Sequence, residues 1–240
     1  MNSRSNPLEL ARRSVALPTG TLELTLDRGA MEADDLLGFA ARANAKRGFL
    51  FLSKVLGKHW PVTPSTMLQV HDRLAATVPE VEGPIVFIAM AETAIGLGQG
   101  VFEAWLRAHP GREALFVHTT RYRVGSGDLI EFEEAHSHAP RQFLHMPEDP
   151  ALRALLLNAG TLVLVDDEAS TGNTFLNLTN ACRRLNPGIA RVHLATITNF
   201  MGRDATDGLS ARFGLPVSMG ALVDGEYRFQ PGNYVAPIEA

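Results

Sequence analysis

Apolar residues in this chain fall into short runs whose spacing changes along its length. Thr21–Leu26, TLELTL, alternates polar and apolar positions and predicts a half-buried strand. Asp34 and Asp35 precede Leu36, Leu37, Ala40, Ala41 and Asn44, the pattern of a capped amphipathic helix. Phe49–Leu52 is a brief apolar run closed by Ser53 and Lys54, with Gly57, Lys58 and His59 close behind. From Ile85 the alternation becomes regular. Pro84–Ala89 predicts a buried strand, a loop holds Gly96, Gly98 and Gly100, and a short helix follows with Val101, Phe102, Trp105 and Leu106 on its apolar side. Ala114–His118 predicts the next strand. Residues 121–145 are mostly polar and lack strong periodicity, which predicts a functional loop or mobile excursion. Leu162–Val165 predicts another strand. A helix over 174–185 carries Leu178, Ala181, Cys182 and Leu185 at helical spacing and stops at Asn186-Pro187-Gly188. Val192–Ile197 and Pro216–Leu222 predict the last strands.

Strands alternating with helices imply an α/β fold with a mostly parallel sheet covered on both faces. Ligands of such sheets bind outside the carboxyl ends of the strands. The 240 residues suit a single domain: a loosely held leader over 1–18, a small unit over about 20–65, and a core over about 84–225. A net charge of −4 favours neither nucleic acid nor an anionic membrane as partner. One cysteine, Cys182, excludes an internal disulfide framework and suits a reducing cytoplasm. The first residues, MNSRSNPLELARR, lack the apolar stretch of a signal peptide, and no run of about 18 apolar residues is present to span a membrane.

The candidate chemistry concentrates in Thr161–Thr174, TLVLVDDEASTGNT. An apolar strand delivers Asp166 and Asp167 to its carboxyl end, and Ser170-Thr171-Gly172-Asn173-Thr174 opens the next helix. Unpaired N–H groups and the positive end of the helix dipole make such a turn an anion site. Gly172 allows close backbone approach, and Ser170, Thr171 and Thr174 add hydroxyl donors. The two acids would repel a phosphate but suit sugar hydroxyls and hydrated Mg²⁺. A phosphate pocket beside a diol-and-metal pocket fits a phosphorylated pentose. An ordinary helix cap needs one such residue, not two acids and a five-residue polar cluster. A P-loop is excluded because no Gly-Lys-Ser/Thr follows a glycine loop, and Gly96-Leu97-Gly98-Gln99-Gly100 has the wrong spacing for a dinucleotide fingerprint.

Four apolar residues, Asp-Asp, two residues, then Ser-Thr-Gly-x-Thr resembles the motif that binds 5-phosphoribosyl 1-diphosphate (PRPP) in type I phosphoribosyltransferases. Asn44–Val62, NAKRGFLFLSKVLGKHWPV, and Phe132–His138, FEEAHSH, are similar to the orotate-phosphoribosyltransferase-like proteins of tellurium-resistance-associated biosynthetic operons. The resemblance covers roughly residues 20–230 and implies a type I phosphoribosyltransferase fold, a mostly parallel sheet flanked by helices with a small N-terminal hood. It also implies transfer of a 5-phosphoribosyl group from PRPP, with Mg²⁺, to a small-molecule acceptor. Asp166 and Asp167 would then serve the ribose hydroxyls and the metal, and Ala169, Ser170, Thr171, Gly172, Asn173 and Thr174 the 5-phosphate. Glu168 departs from the family pattern, where an apolar residue is common.

By the same resemblance Ala91, Glu92, Thr93 and Ala94 form a pyrophosphate loop, in keeping with small residues between a strand and a helix. Arg121 and Arg123 lie on alternate positions and suit neutralisation of a leaving diphosphate. Ser53, Lys54 and Lys58 are acceptor-side candidates in the hood. His136, His138 and His145, near Glu133 and Glu134, suit a mobile loop that supplies imidazole, a solvated cluster, or a transition-metal site. Cys182 reads as a buried helix residue without chemistry. The resemblance also implies a homodimer, with the 121–145 loop reaching the neighbouring site. Two other readings stay open: a non-catalytic PRPP or nucleotide sensor, and a nucleotide phosphorylase or hydrolase using the same site.

Overall fold

The computed structural model describes residues 10–27, 32–42, 47–58, 60–125, 127–133 and 141–233. The strands are β1 (Leu10–Leu17), β2 (Gly20–Asp27), β3 (Leu37–Ala41), β4 (Phe49–Ser53), β5 (Ile85–Ala89), β6 (Ala114–Thr120), β7 (Leu129–Glu133), β8 (Arg141–His145), β9 (Thr161–Ala169), β10 (Arg191–Asn199) and β11 (Val217–Pro231). The helices are α1 (Ala33–Leu36), α2 (Pro64–Ala75), α3 (Ile95–Ala108), α4 (Pro150–Asn158), α5 (Asn173–Leu185), α6 (Arg203–Asp207) and α7 (Leu209–Phe213).

Nine strands form one sheet in the order β1-β2-β11-β10-β9-β5-β6-β8-β7. Its centre is parallel: β11, β10, β9, β5 and β6 run together, with Ala89 beside both Val165 and His118. The central strands are apolar on both faces because helices cover both. β5 is buried at every position, as is β9 from Thr161 to Val165. One face packs Phe87, Val163, Val165 and Ile197 against α2, α3 and the hood; the other packs Ile88, Leu162, Leu164 and Leu194 against α4, α5 and α7. α2 and α4 begin on a capping side chain followed by proline, Thr63-Pro64 and Asp149-Pro150.

Five local expectations are corrected. The leader over 1–18 contains β1, which pairs antiparallel with β2 from Leu10↔Asp27 to Leu17↔Gly20. β2, placed with the small N-terminal unit, is bonded to β11 in the main sheet. The helix after Asp34 lasts a single turn, and Leu37–Ala41 pairs with β4 as a two-stranded hood. Residues 121–145 contain β7 and β8, joined in register from Leu129↔His145 to Glu133↔Arg141. β11 also runs far past Leu222, parallel to β10 up to Asp224 and antiparallel to β2 from Gly225.

An aromatic cluster seats the hood on the core. Phe51 stacks on Phe200 with centroids 4.5 Å apart, and Phe49 lies 5.1 Å from Tyr227 and 5.0 Å from Phe229. Offset and edge contacts of this kind add about 0.5–1.5 kcal/mol each beyond area burial.

Candidate active site

Three strand ends meet at the carboxyl edge of the sheet. β5 lies between β6 and β9, so the residues leaving them are one strand spacing apart, about 4.8 Å. From β9 come Asp166 and Asp167, both half-buried. The Asp167 amide donates to Asp166 Oδ1 at 2.9 Å, and Thr198 Oγ1 donates to the Asp167 carbonyl at 3.4 Å. The acids therefore sit on a braced strand end, not in a loose loop.

The chain then turns through Ala169, Ser170 and Thr171 into α5. Gly172 occupies its N-cap position at φ +69°, a left-handed conformation that glycine adopts without steric cost. Unlike α2 and α4, α5 has no capping side-chain bond at that position. The first helical bond runs from the Leu176 amide to the Gly172 carbonyl, 3.1 Å. The amides of the first turn therefore have no partner within the helix, and among the described residues the long contact from the Asn173 amide to Thr171 Oγ1, 3.4 Å, is the one that competes for them. This is the geometry of an anion site at a helix N-terminus.

Ala91–Ala94 lies between β5 and α3, with a cis bond at Ala91–Glu92. The Met90 amide donates to the Val165 carbonyl at 2.9 Å, and the Ala91 amide to Thr119 Oγ1 at 2.8 Å. The buried Thr119 thus ties this loop to β6, the strand that leads into Arg121. Arg121 is exposed. Arg123 pairs with Glu131 at 3.0 Å and lies 5.3 Å from the Phe143 ring centroid. The Val124 amide donates to His145 Nε2 at 3.3 Å, which fixes His145 to the basic stretch. His136 and His138 lie outside the described residues.

The hood candidates separate. Ser53 is buried, and its hydroxyl accepts from the Val55 amide at 3.4 Å. Lys54 donates to the Asp34 carbonyl at 2.8 Å and lies 5.7 Å from the Trp60 ring. Lys58 leaves the hood and donates to the Glu92 carbonyl at 3.1 Å. Cys182 is buried, and burial pushes its thiol up to about 12, so it is inert at neutral pH.

Glu168 acquires a definite partner. Arg47 Nη2 lies 2.9 Å from Glu168 Oε1 and 3.2 Å from Oε2, and its guanidinium carbon lies 4.8 Å from the Phe49 centroid and 5.4 Å from that of Phe51. Burial raises the Glu168 pKa, the Arg47 charge and hydrogen bond lower it, and Asp167 raises it. The acid that departs from the family pattern is therefore the point where the hood grips the strand that carries Asp166 and Asp167.

Asp166 and Asp167 fit a shared divalent cation better than a resident one. Among the described residues no group of three or more His, Cys, Asp or Glu is arranged to hold a metal. Mg²⁺ commonly binds through one or two carboxylates plus substrate phosphates, and the pair at this half-exposed strand end matches that need.

With this geometry in place, the chain belongs to the phosphoribosyl transferase family, whose model matches residues 36–226. It is a phosphoribosyltransferase of the type I fold. Similar solved structures include the adenine phosphoribosyltransferase of Trypanosoma brucei in complex with AMP, pyrophosphate and ribose-5-phosphate. It is 13% identical, with a TM-score of 0.53, covering 80% of this chain and 77% of that one. The enzyme of Giardia lamblia complexed with 9-deazaadenine is 15% identical, with a TM-score of 0.53, covering 79% and 94%. That of Leishmania donovani is 14% identical, with a TM-score of 0.52, covering 78% and 76%. No curated protein matches the chain at a significant level. No helix among the described residues is long and apolar enough to cross a membrane.

Two supporting residues escape sequence reading. Arg212 of α7 bonds the Thr171 carbonyl and the Asn173 side chain, and Thr119 orients the Ala91 amide. Both act through contacts between residues far apart in the chain, so no local pattern marks them.

Proposed function

We propose that the chain transfers the 5-phosphoribosyl group of PRPP to a small-molecule nucleophile and releases pyrophosphate. One observation carries the reading: the acidic pair and an uncapped helix N-terminus occupy consecutive segments of one strand end, beside a small-residue loop tied to both neighbouring strands. A diol, a 5-phosphate and a diphosphate are matched in that order.

In this mechanism the first-turn amides of α5 and the hydroxyls of Ser170, Thr171 and Thr174 hold the 5-phosphate. Asp166 and Asp167 accept hydrogen bonds from the ribose hydroxyls and stabilise positive charge that develops on the sugar. The C1–O bond breaks, and the diphosphate leaves with its electron pair onto the Ala91–Ala94 loop and Arg121, with Arg123 close by. The acceptor lone pair forms the new bond to C1, and the acceptor's proton passes to solvent or product phosphate. Bound Mg²⁺ would neutralise charge on the diphosphate. His136 and His138, which lie outside the described residues, are the imidazole candidates of this mechanism.

The acceptor side is assigned to the hood, where Lys58, which reaches the Ala91–Ala94 loop, is the candidate nearest the diphosphate and Ser53 and Lys54 are held by contacts within the hood. The hood segment Asn44–Val62 supports the orotate-type, tellurium-resistance-associated subgroup, while the neighbours of similar fold are named as adenine enzymes. A homodimer and a cytoplasmic setting complete the proposal, the latter supported by a single, buried cysteine.

Pyrophosphate release from PRPP and Mg²⁺, with orotate, adenine and pooled small metabolites supplied in turn, tests the reading. Release that depends on an acceptor supports it. Ribose 5-phosphate formed without an acceptor would assign a hydrolase, and PRPP binding without turnover in every pool would assign a sensor.

A further inference from the structure

We propose that Arg212 is a positioning residue for the 5-phosphate, which it serves by orienting the Thr171–Gly172 peptide from behind the loop. The inference rests on the reading of Ser170–Thr174 as the phosphate loop. Arg212 Nη1 donates to the Thr171 carbonyl at 2.6 Å, and Nη2 donates to Asn173 Oδ1. One guanidinium therefore holds residues on both sides of Gly172. A planar fork with fixed donors suits such a grip, and a lysine point charge does not.

The consequence follows from peptide geometry. The Thr171–Gly172 bond is trans, so its C=O and N–H point in opposite directions. A carbonyl pinned toward Arg212 turns the Gly172 N–H away from α7 and out of the opposite face of the loop. The α7 side is already filled: a Cβ on Gly172 would lie 3.0 Å from Met201 Sδ and 3.4 Å from Arg212 Nη1. The anion would then lie on the opposite face. If the peptide flipped, the carbonyl oxygen would face the phosphate and repel it. Arg212 also places a positive charge behind the loop.

The grip is itself anchored. Leu209 and Phe213 of α7 are buried in the core, and Ser210 Oγ accepts from the Val217 amide at 2.9 Å and donates to the Val217 carbonyl at 3.2 Å. α7 is thus fixed to β11, and Arg212 reaches from a rigid base to a turn in which Thr171 is exposed and Gly172 is buried.

The test compares the parent, Arg212→Lys and Arg212→Met by calorimetry with PRPP and Mg²⁺, with pyrophosphate as the control ligand and melting curves for each protein. Hydrogen bonds from charged groups predict PRPP dissociation constants raised about 10- to 100-fold in Arg212→Met. Arg212→Lys, which keeps the charge but not the fork, should rise by at least about threefold. Pyrophosphate binding should stay within about twofold in both, because the Ala91–Ala94 loop is untouched. PRPP binding at parental strength in Arg212→Lys overturns the orienting role, as does an equal loss for both ligands. If Arg212→Met does not fold, the Lys variant decides alone. A parent that binds pyrophosphate but not PRPP overturns the phosphate-loop reading itself, and the role of Arg212 with it.

Discussion

The Arg47–Glu168 pair should behave as one unit that ties the hood to β9, and a double-mutant cycle can measure it. Its side chains are 32% and 19% exposed, so screening is partial. Two unit charges about 4 Å apart attract by about 4 kcal/mol at the effective dielectric constant of such sites, and desolvation removes part of that. Glu168→Gln keeps the volume of the side chain but removes the negative charge that faces the Arg47 guanidinium, which packs over Phe49 and Phe51. That should cost about 2 kcal/mol, and Arg47→Met a similar amount. The double variant removes both sides of this one contact, so it should cost clearly less than the sum, with a coupling of about 1–2 kcal/mol. For a chain of this size 1 kcal/mol moves Tm by about 2–4 °C, so each single variant should melt about 4–8 °C below the parent. Urea unfolding of the four proteins gives the coupling. Additivity within about 0.5 kcal/mol would refute the claim that this pair holds the hood to the strand.

His193 is buried between Thr77 Oγ1 and Ser218 Oγ, 3.0 and 2.8 Å away, and burial lowers its pKa to about 4. The unfolded chain takes this proton first, so stability is full above about pH 6.5 and falls as pH drops toward 4, by about 3 kcal/mol in all. His193→Gln should lose that much less between pH 7 and 4, and parallel pH profiles of the two proteins would refute it. Gly100→Ala would place a Cβ 2.1 Å from His71 Nδ1, at the contact of α2 with α3, so it should lower stability by more than about 2 kcal/mol, and an unchanged melting point would contradict the packing. The chain should scatter light as a dimer at micromolar concentration; a fully active monomer would remove the proposed two-fold arrangement.

The core of the fold and the site motif were legible because both are local. β5 and β9 read as apolar runs since helices bury both their faces, and Asp166 to Thr174 are contiguous. What escaped depends on partners distant in sequence. β1 is exposed along most of its length, so it carries no apolar alternation, and its identity comes from pairing with β2. Leu37–Ala41 follows an acidic helix start, yet pairing with β4 overrides that propensity. β7 hides in a polar stretch because only alternate residues, Ile130 and Phe132, reach the core, and β8 buries just the three residues Gln142–Leu144. α2 and α4 are marked by cap-plus-proline pairs, a signal that periodicity alone does not use. Glu168 was visible as a departure, but its partner Arg47 lies 121 residues away.

The central claim is that Asp166 and Asp167 stabilise charge on the ribose as the C1–O bond breaks. The direct measurement is PRPP-dependent pyrophosphate release by the parent and by Asp166→Asn/Asp167→Asn, beside melting curves and PRPP calorimetry on the same preparations. The pair sits at a half-buried strand end, outside the apolar core, so the variant should stay folded. Its turnover should fall by at least about 10²–10³, with a smaller loss in PRPP affinity because Ser170–Thr174 still hold the 5-phosphate. Turnover within about threefold of the parent, or a variant that cannot fold, would contradict the assignment.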